Sequence, residues 1–572
     1  MLGLSSLDRK AMELSRLARI AQKRKEYTTE ENDPKRKRRP DTFPLGDNRS
    51  PNKKSKLEPL HSDHSSGTVS KLSLVTPHQE TKPLVFTGSD NVIKGITYPP
   101  HCSFQTVLTK EGVPSGVQYP NGVVKKTSVR GFPRHGDDIS IEEVLQKNDL
   151  TLAVLGAFQI DPEWIMGKLE PQTRVYWVLQ AKTESEKKNI ESQATSNYKF
   201  CFPSMKGRVN CMHSKLQLLA HPSHLRIVVP TANLTSYDWG ETGVMENMCF
   251  IIDLPRHENA QSSSLEDLTH FAQELIYFLE AQGLPEQVIK SVLNFDFSRT
   301  AKIGFVHSMY DPPPKTNFKS VSSLISISGG PHTGNSWKRT GYCGLASTVQ
   351  KLGIQNKDPI KIDFVTASLG NLTPKFIESL YLAAQGSIAE LTPKNSRGGK
   401  SLEIENELRQ NVTRLCRVYF PTRETVEKSI GGVRAAGTIC FNSRWWTSNH
   451  FLQRILRDCH SQRKGVLMHS KIWFVRPHEP SSERQSWAYV GSANLSESAW
   501  GQLVTDTKTK QPKLHCANWE CGVIFPVIPE CGQKHKCANE EMAEFVGFVP
   551  IPMVIPGAAY AGREPWFFND RR

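Results

Sequence analysis

The string Met-His-Ser-Lys occurs twice, at 212–215 and at 468–471, and the likeness does not end with it. VPTANLTSYDWG (229–240) lies over VGSANLSESAWG (490–501), with Val, Ala, Asn, Leu, Trp and Gly identical and Thr and Ser exchanged twice. A third pair follows in each half, ENMCFII (246–252) over WECGVIF (519–525). Three segments repeated in one order mean a duplicated unit, so the chain must fold as two related halves. If each His-x-Lys is on a strand, His213 and Lys215 project from one face, as do His469 and Lys471. Halves packed about a pseudo-twofold axis would bring these four side chains, with Asn233 and Asn494, to one cleft.

The rest of the sequence fits an α/β fold with two related mixed-sheet domains. A chain of 572 residues is too long for one ordinary core. The runs LTLAVLGAFQI, VYWVLQA, LQLLA, LRIVVPTA and MCFIID suit buried strands in the first half, and IKIDFVTASLG, VYFPT, KIWFVRP, WAYVGSA and WECGVIF in the second. Helices are expected at SLEDLTHFAQELIYFLEAQG, where Leu265, Leu268, Phe271, Leu275 and Phe278 form one stripe, and at PKFIESLYLAAQG and NHFLQRILRDCH. The polar inserts AKTESEKKNIESQATSN and TPKNSRGGKS are expected as surface loops. Residues 1–85 carry too little apolar surface to offset the entropy of ordering and are expected to be a disordered basic tail. The domains expected after it are 90–300 and 301–572.

With 72 Lys+Arg against 57 Asp+Glu, the net charge of +15 favours a polyanionic partner, nucleic acid before an acidic membrane surface. The first 25 residues carry charges at every turn and no apolar run, so no secretory signal is expected there; the longest apolar stretch, FVGFVPIPMVIPGAAY, is broken by Pro550, Pro552 and Pro556, so no membrane span is expected. PKRKRRP (34–40) resembles a nuclear-import address and predicts the nucleus, with a solvated basic arm that clings to nucleic acid as the alternative that does not exclude it. The twelve cysteines include no CxxC pair, which fits a reducing compartment. Cys516, Cys521, Cys531 and Cys537, with His515 and His535, match no familiar zinc spacing, and buried thiols are the expectation.

One HSK alone would be an ordinary core histidine with a lysine at the rim. Two, each followed by ANL and WG, point to phosphodiester cleavage. One imidazole attacks phosphorus; the other protonates the leaving oxygen and then activates water. Two lysines and two asparagines supply donors to the non-bridging oxygens. This chemistry needs no carboxylate cage, so neither metal nor cofactor is implied, and it does not say which histidine attacks.

These residues resemble the phospholipase D superfamily, in which HxK precedes a Ser/Gly-rich Asn segment and two α/β domains share one active site. The Asp common a few residues after the Lys is missing, since Ala220 and Arg476 stand there. With SLG at 368–370, FPT at 420–422, SANLSESAWG, NWECGVIF and REPWFF at 563–568, the chain after about residue 90 is similar to the tyrosyl-DNA phosphodiesterase family.

The resemblance implies a monomeric DNA-repair enzyme in which His213 is the nucleophile and His469 the general acid and base. Its substrate would be DNA with a 3′ adduct, single- or double-stranded, carrying a topoisomerase-derived peptide. Lys215, Lys471, Asn233 and Asn494 would hold the phosphoryl oxygens. Glu520 and Asn247 would orient the histidines, Asn247 falling where a Gln is common and Glu246 lying one residue away. Ser368 and Thr366 would contact backbone phosphates. Val209 stands where some relatives carry a base-stacking aromatic. Two alternatives stay open: a phosphodiesterase for another nucleic-acid end or a phospholipid, and a DNA-binding protein without catalysis.

Overall fold

The β-branched and aromatic runs pair as two mixed sheets in a computed structural model that describes residues 116–205, 209–258, 267–309, 336–391, 402–479, 484–527 and 540–568. The tail expected at 1–85, the insert at 392–401, and Cys531, His535 and Cys537 lie outside the described residues. The strands of the first half are β1 (Val123–Thr127), β2 (Asp138–Ile139), β3 (Leu152–Gly156), β4 (Arg174–Val178), β5 (Tyr198–Cys201), β6 (Cys211–Met212), β7 (Leu216–Ala220), β8 (His224–Pro230), β9 (Met245–Glu246) and β10 (Met248–Pro255). Those of the second are β11 (Gly304–Ser308), β12 (Ile360–Val365), β13 (Cys416–Tyr419), β14 (Leu456–Arg457), β15 (Leu467–Met468), β16 (Ile472–Pro477), β17 (Ser486–Gly491), β18 (Gln502–Thr505), β19 (Pro512–His515) and β20 (Asn518–Val527).

The first sheet runs β2-β1-β10-β8-β7-β3-β4-β5 and the second β11-β20-β17-β16-β12-β13-β14, with β6 attached to β20. The duplication is visible in this topology. In each sheet three antiparallel pairings lead inward from β10 or β20 to β3 or β12, and a parallel strand follows, β4 or β13.

Alternation along the strands decides what each face meets. Leu225, Ile227 and Val229 of β8 join Ile472 and Phe474 of β16 and Val490 of β17 in one continuous apolar layer between the sheets. Their neighbours Val228, and Trp473 and Val475, turn to separate outer cores. Each such side chain taken from water contributes roughly 1.5–3 kcal/mol, and here both sheets share the layer, within one compact unit that includes all the described residues. The helix His270–Ala281, capped by Thr269, buries Phe271, Leu275 and Phe278 and packs against β11; Leu265 lies outside the described residues.

Two elements differ from expectation. NHFLQRILRDCH is not a helix: only Gln453–Ile455 makes a 3-10 turn, and β14 then pairs in parallel with β13. Its apolar spacing fits a helix, but the ladder to Tyr419 and Val418, and the hydrogen bonds that draw Asp458 to Thr422 and Thr425, hold it extended. The insert AKTESEKKNIESQATSN is on the surface but contains the helix Glu184–Glu191, because Thr183 and Glu186 form a reciprocal capping box.

Candidate active site

Each HSK triplet is a junction between strands rather than part of one. His213–Lys215 connects β6 to β7, and His469–Lys471 connects β15 to β16. The short strands on the histidine side pair across the molecule: β6 runs parallel to the start of β20, and β15 parallel to β9. The His213 N–H donates to the Trp519 carbonyl at 2.9 Å and the His469 N–H to that of Glu246 at 3.0 Å. Each histidine is thus clamped by the other half of the chain, and this exchange brings both motifs to one place.

At His213, Nδ1 lies 2.9 Å from Glu520 Oε2, and Lys215 Nζ is 3.4 Å from Nε2. Glu520 is held in turn by Ser492 Oγ at 2.6 Å and Asn518 Nδ2 at 3.0 Å. At His469 the corresponding partner is Asp238, whose Oδ2 is 3.2 Å from Nδ1 and accepts the Asn233 N–H at 2.7 Å. Asn247, expected to orient this ring, instead donates to the Asp238 carbonyl at 2.8 Å and accepts from Thr231 Oγ1 at 2.8 Å. It supports the loop that carries the carboxylate. Glu246 is engaged elsewhere, with Ser461 and with Arg463 at 2.8 Å.

Both lysines are fully buried. Lys215 Nζ donates to the His213 carbonyl at 2.9 Å, and Lys471 Nζ to those of Thr231 at 3.2 Å and of His469. Among the described residues, neither ammonium has a carboxylate within ion-pair distance. Burial lowers both pKa values, and the charge of Lys215 lowers that of Lys471 further. Two cations so placed favour an anion between them.

Burial also lowers both histidines, His469 to about 4, and each ring feels the lysines of both halves. Burial alone would raise Asp238, but His469 and Lys471 hold its carboxyl below the usual range. The rings are therefore neutral before an anion arrives. With Nδ1 facing a carboxylate, the proton resides there and Nε2 keeps its lone pair.

The amides are symmetric as well. Asn233 Oδ1 accepts the Gln159 N–H at 3.1 Å, and Asn494 Oδ1 accepts Thr366 Oγ1 at 3.1 Å and the Ala367 N–H at 3.2 Å. What remains on each side chain is the NH₂ donor pair, suited to phosphoryl oxygens. Thr366 is buried, and its hydroxyl also accepts the Leu495 N–H at 3.1 Å, so it builds the Asn494 support rather than offering a free contact. Ser368 is half-buried beside it, bridged to Cys440. Val209 belongs to the layer between the sheets.

The sequence model of the family described as "Tyrosyl-DNA phosphodiesterase" matches residues 123–561. The chain belongs to this family. A "Tyrosyl-DNA phosphodiesterase 1" of Arabidopsis thaliana is 24% identical over 407 residues, covering 68% of this chain and 59% of the relative. Its Drosophila melanogaster namesake is 25% identical over 370 residues, covering 63% and 57%. The matched stretch thus spans less than two thirds of either relative. Crystal structures of the yeast tyrosyl-DNA phosphodiesterase and of a histidine-to-asparagine mutant of it share the fold, with TM-scores of 0.51 and 0.53 at 16% and 17% identity, each covering 78% of this chain and 100% of the other.

Asp238, which faces His469 Nδ1, is the site residue that sequence reading missed. A signal existed, since YDW is the one acidic position in the repeated ANL segment of the first half. The second copy, however, has Ala499 there, and the repeat directed attention to shared letters.

Proposed function

We propose that the chain is a DNA-repair phosphodiesterase that hydrolyses 3′-phosphotyrosyl ends left by a type IB topoisomerase, and related blocked 3′ ends, through a phosphohistidine on His213 and without a divalent metal. His213 Nε2 attacks phosphorus in line as His469 delivers a proton to the departing phenolic oxygen. His469 Nε2 then takes a proton from water, whose oxygen displaces His213 and leaves a 3′-phosphate. Lys215, Lys471 and the amides of Asn233 and Asn494 stabilise the spreading negative charge. The phosphodiester anion raises the pKa of the groups around it, which returns the lysines and His469 to their charged, proton-donating forms.

The observation that carries this reading is the pairing of each histidine Nδ1 with a carboxylate, 2.9 Å and 3.2 Å, beside two buried lysines. It also supports metal independence, because both carboxylates are already engaged by imidazole and by further donors. Both histidines come from one chain, so a monomer suffices, and PKRKRRP would direct it to the nucleus. The test is a single-stranded oligonucleotide with 3′-phosphotyrosine, incubated with the protein in EDTA. A 3′-phosphate product is expected. No product, or product only after magnesium is added, defeats the proposal.

A further inference from the structure

Among the described residues Phe158 is one of a few large apolar side chains left exposed, at 38%, and its ring centroid lies 5.3 Å from that of His213, tilted by 50°. The position is held firmly. β3 ends at Gly156, Ala157 is buried, and the residues that follow are laced to the segment that carries Asn233. The Gln159 N–H donates to Asn233 Oδ1 at 3.1 Å, the Leu234 N–H to the Gln159 carbonyl at 3.0 Å, and the Asp161 N–H to the Leu234 carbonyl at 2.8 Å. A phenyl ring fixed in water beside the nucleophile loses hydration free energy unless something apolar covers it. The equivalent place in the second half is the small, buried Ala367, because Gly156 and Val365 pair with the residues that follow Lys215 and Lys471, and Ile160 and Leu369 bridge Leu234 and Leu495. The aromatic is therefore a feature of the His213 side alone.

We infer that Phe158 is a specificity contact that stacks on the terminal nucleoside of the strand whose phosphate His213 attacks. The inference rests on the proposed function. In-line displacement sets its direction: the leaving oxygen stands opposite the attacking nitrogen, on the His469 side, so the ring packed on His213 meets the part of the substrate that stays attached to it. A base offers a flat apolar face there, and such stacking is sequence-tolerant.

Binding and turnover separate the inference from the reading beneath it. An oligonucleotide ending in 2-aminopurine with a 3′-phosphate reports stacking by fluorescence quenching, without any turnover. Wild-type protein should quench it, Phe158→Ala should quench much less and bind about tenfold more weakly, and Phe158→Trp should restore both. An oligonucleotide with an abasic 3′-terminal unit should show little difference between wild type and Phe158→Ala. Equal quenching by wild type and Phe158→Ala overturns the inference, as does an equal loss of binding on the abasic end. In turnover, an effect of Phe158→Ala that follows the leaving group, tyrosine against p-nitrophenol, and not the terminal base also overturns it. Failure of wild-type protein to cleave 3′-phosphotyrosine counts against the proposed function and leaves the quenching result to decide the role of Phe158.

Discussion

An imidazole has two nitrogens, and what holds one decides what the other can do. Asp238 Oδ2 both accepts the Asn233 N–H and faces His469 Nδ1, so Asp238→Asn keeps the shape of the side chain and an amide oxygen in that place but loses the negative charge. The proton stays on Nδ1, and the imidazolium loses its counter-charge. His469 then becomes a weaker base, so the first displacement proceeds and the second, which needs it to take a proton from water, slows most. The expected outcome is a fall in kcat of about 10²–10⁴ with a covalent DNA adduct on His213 visible on a denaturing gel. At Glu520 the two oxygens have separate partners, so Glu520→Gln keeps an oxygen for Asn518 Nδ2 and turns its NH₂ toward His213 Nδ1; the ring's proton then moves to Nε2, the attacking lone pair is lost, and little adduct should form. An adduct in Glu520→Gln and none in Asp238→Asn would reverse the roles of the two histidines.

At the level of elements, the cleft exists because two-residue strands cross between the sheets, and Arg463 secures one crossing. Its guanidinium donates to the Thr127 carbonyl and to Glu246 Oε2, each at 2.8 Å, and to Asp138 Oδ2 at 3.2 Å. Arg463→Ala leaves the buried Glu246 without its cation, while Asp138 keeps Arg134 at 2.7 Å, and should cost about 3–5 kcal/mol, read as a lower denaturant midpoint. Burial already raises the Glu246 pKa against the pull of Arg463. Without the arginine Glu246 can escape by taking a proton, so the loss should be greater at pH 8 than at pH 5; a loss that does not depend on pH would place the strain elsewhere. This crossing was not legible in the sequence, since β6, β9 and β15 are too short to carry a pattern. What was legible had length or repetition: the long buried strands, the helices Pro374–Ala384 and His270–Ala281, and the doubled His, Lys and Asn. NHFLQRILRDCH misled because Phe451, Leu452, Ile455 and Leu456 fit a helical stripe, whereas pairing with β13 is a tertiary fact. Asp238 and Arg463 belong to the same class, single charges whose partners lie in segments remote in sequence or packing.

For the whole molecule, the shared core places an unusual set of imidazoles in low dielectric, and that sets its response to acid. Burial lowers His213, His221 and His307, and takes His224, His270 and His469 to about 4. A histidine whose folded pKa is depressed is neutral in the folded protein and charged in the unfolded chain between about pH 4 and 6.5. The unfolded state therefore binds more protons there, and stability falls as pH drops through that window. His460, raised by its hydrogen bond to Asp458, acts in the opposite sense but is a single group. With three histidines near 4, unfolding near pH 5 should take up roughly two to three protons, measurable as the slope of unfolding free energy against pH. A 3′-phosphorylated oligonucleotide should flatten part of this slope, because an anion between Lys215 and Lys471 raises the folded-state pKa of His213 and His469 without reaching His224 or His270. A slope that is flat in the free protein would mean that these rings are already charged when folded, and one unaffected by the oligonucleotide would mean that the anion binds away from the two histidines.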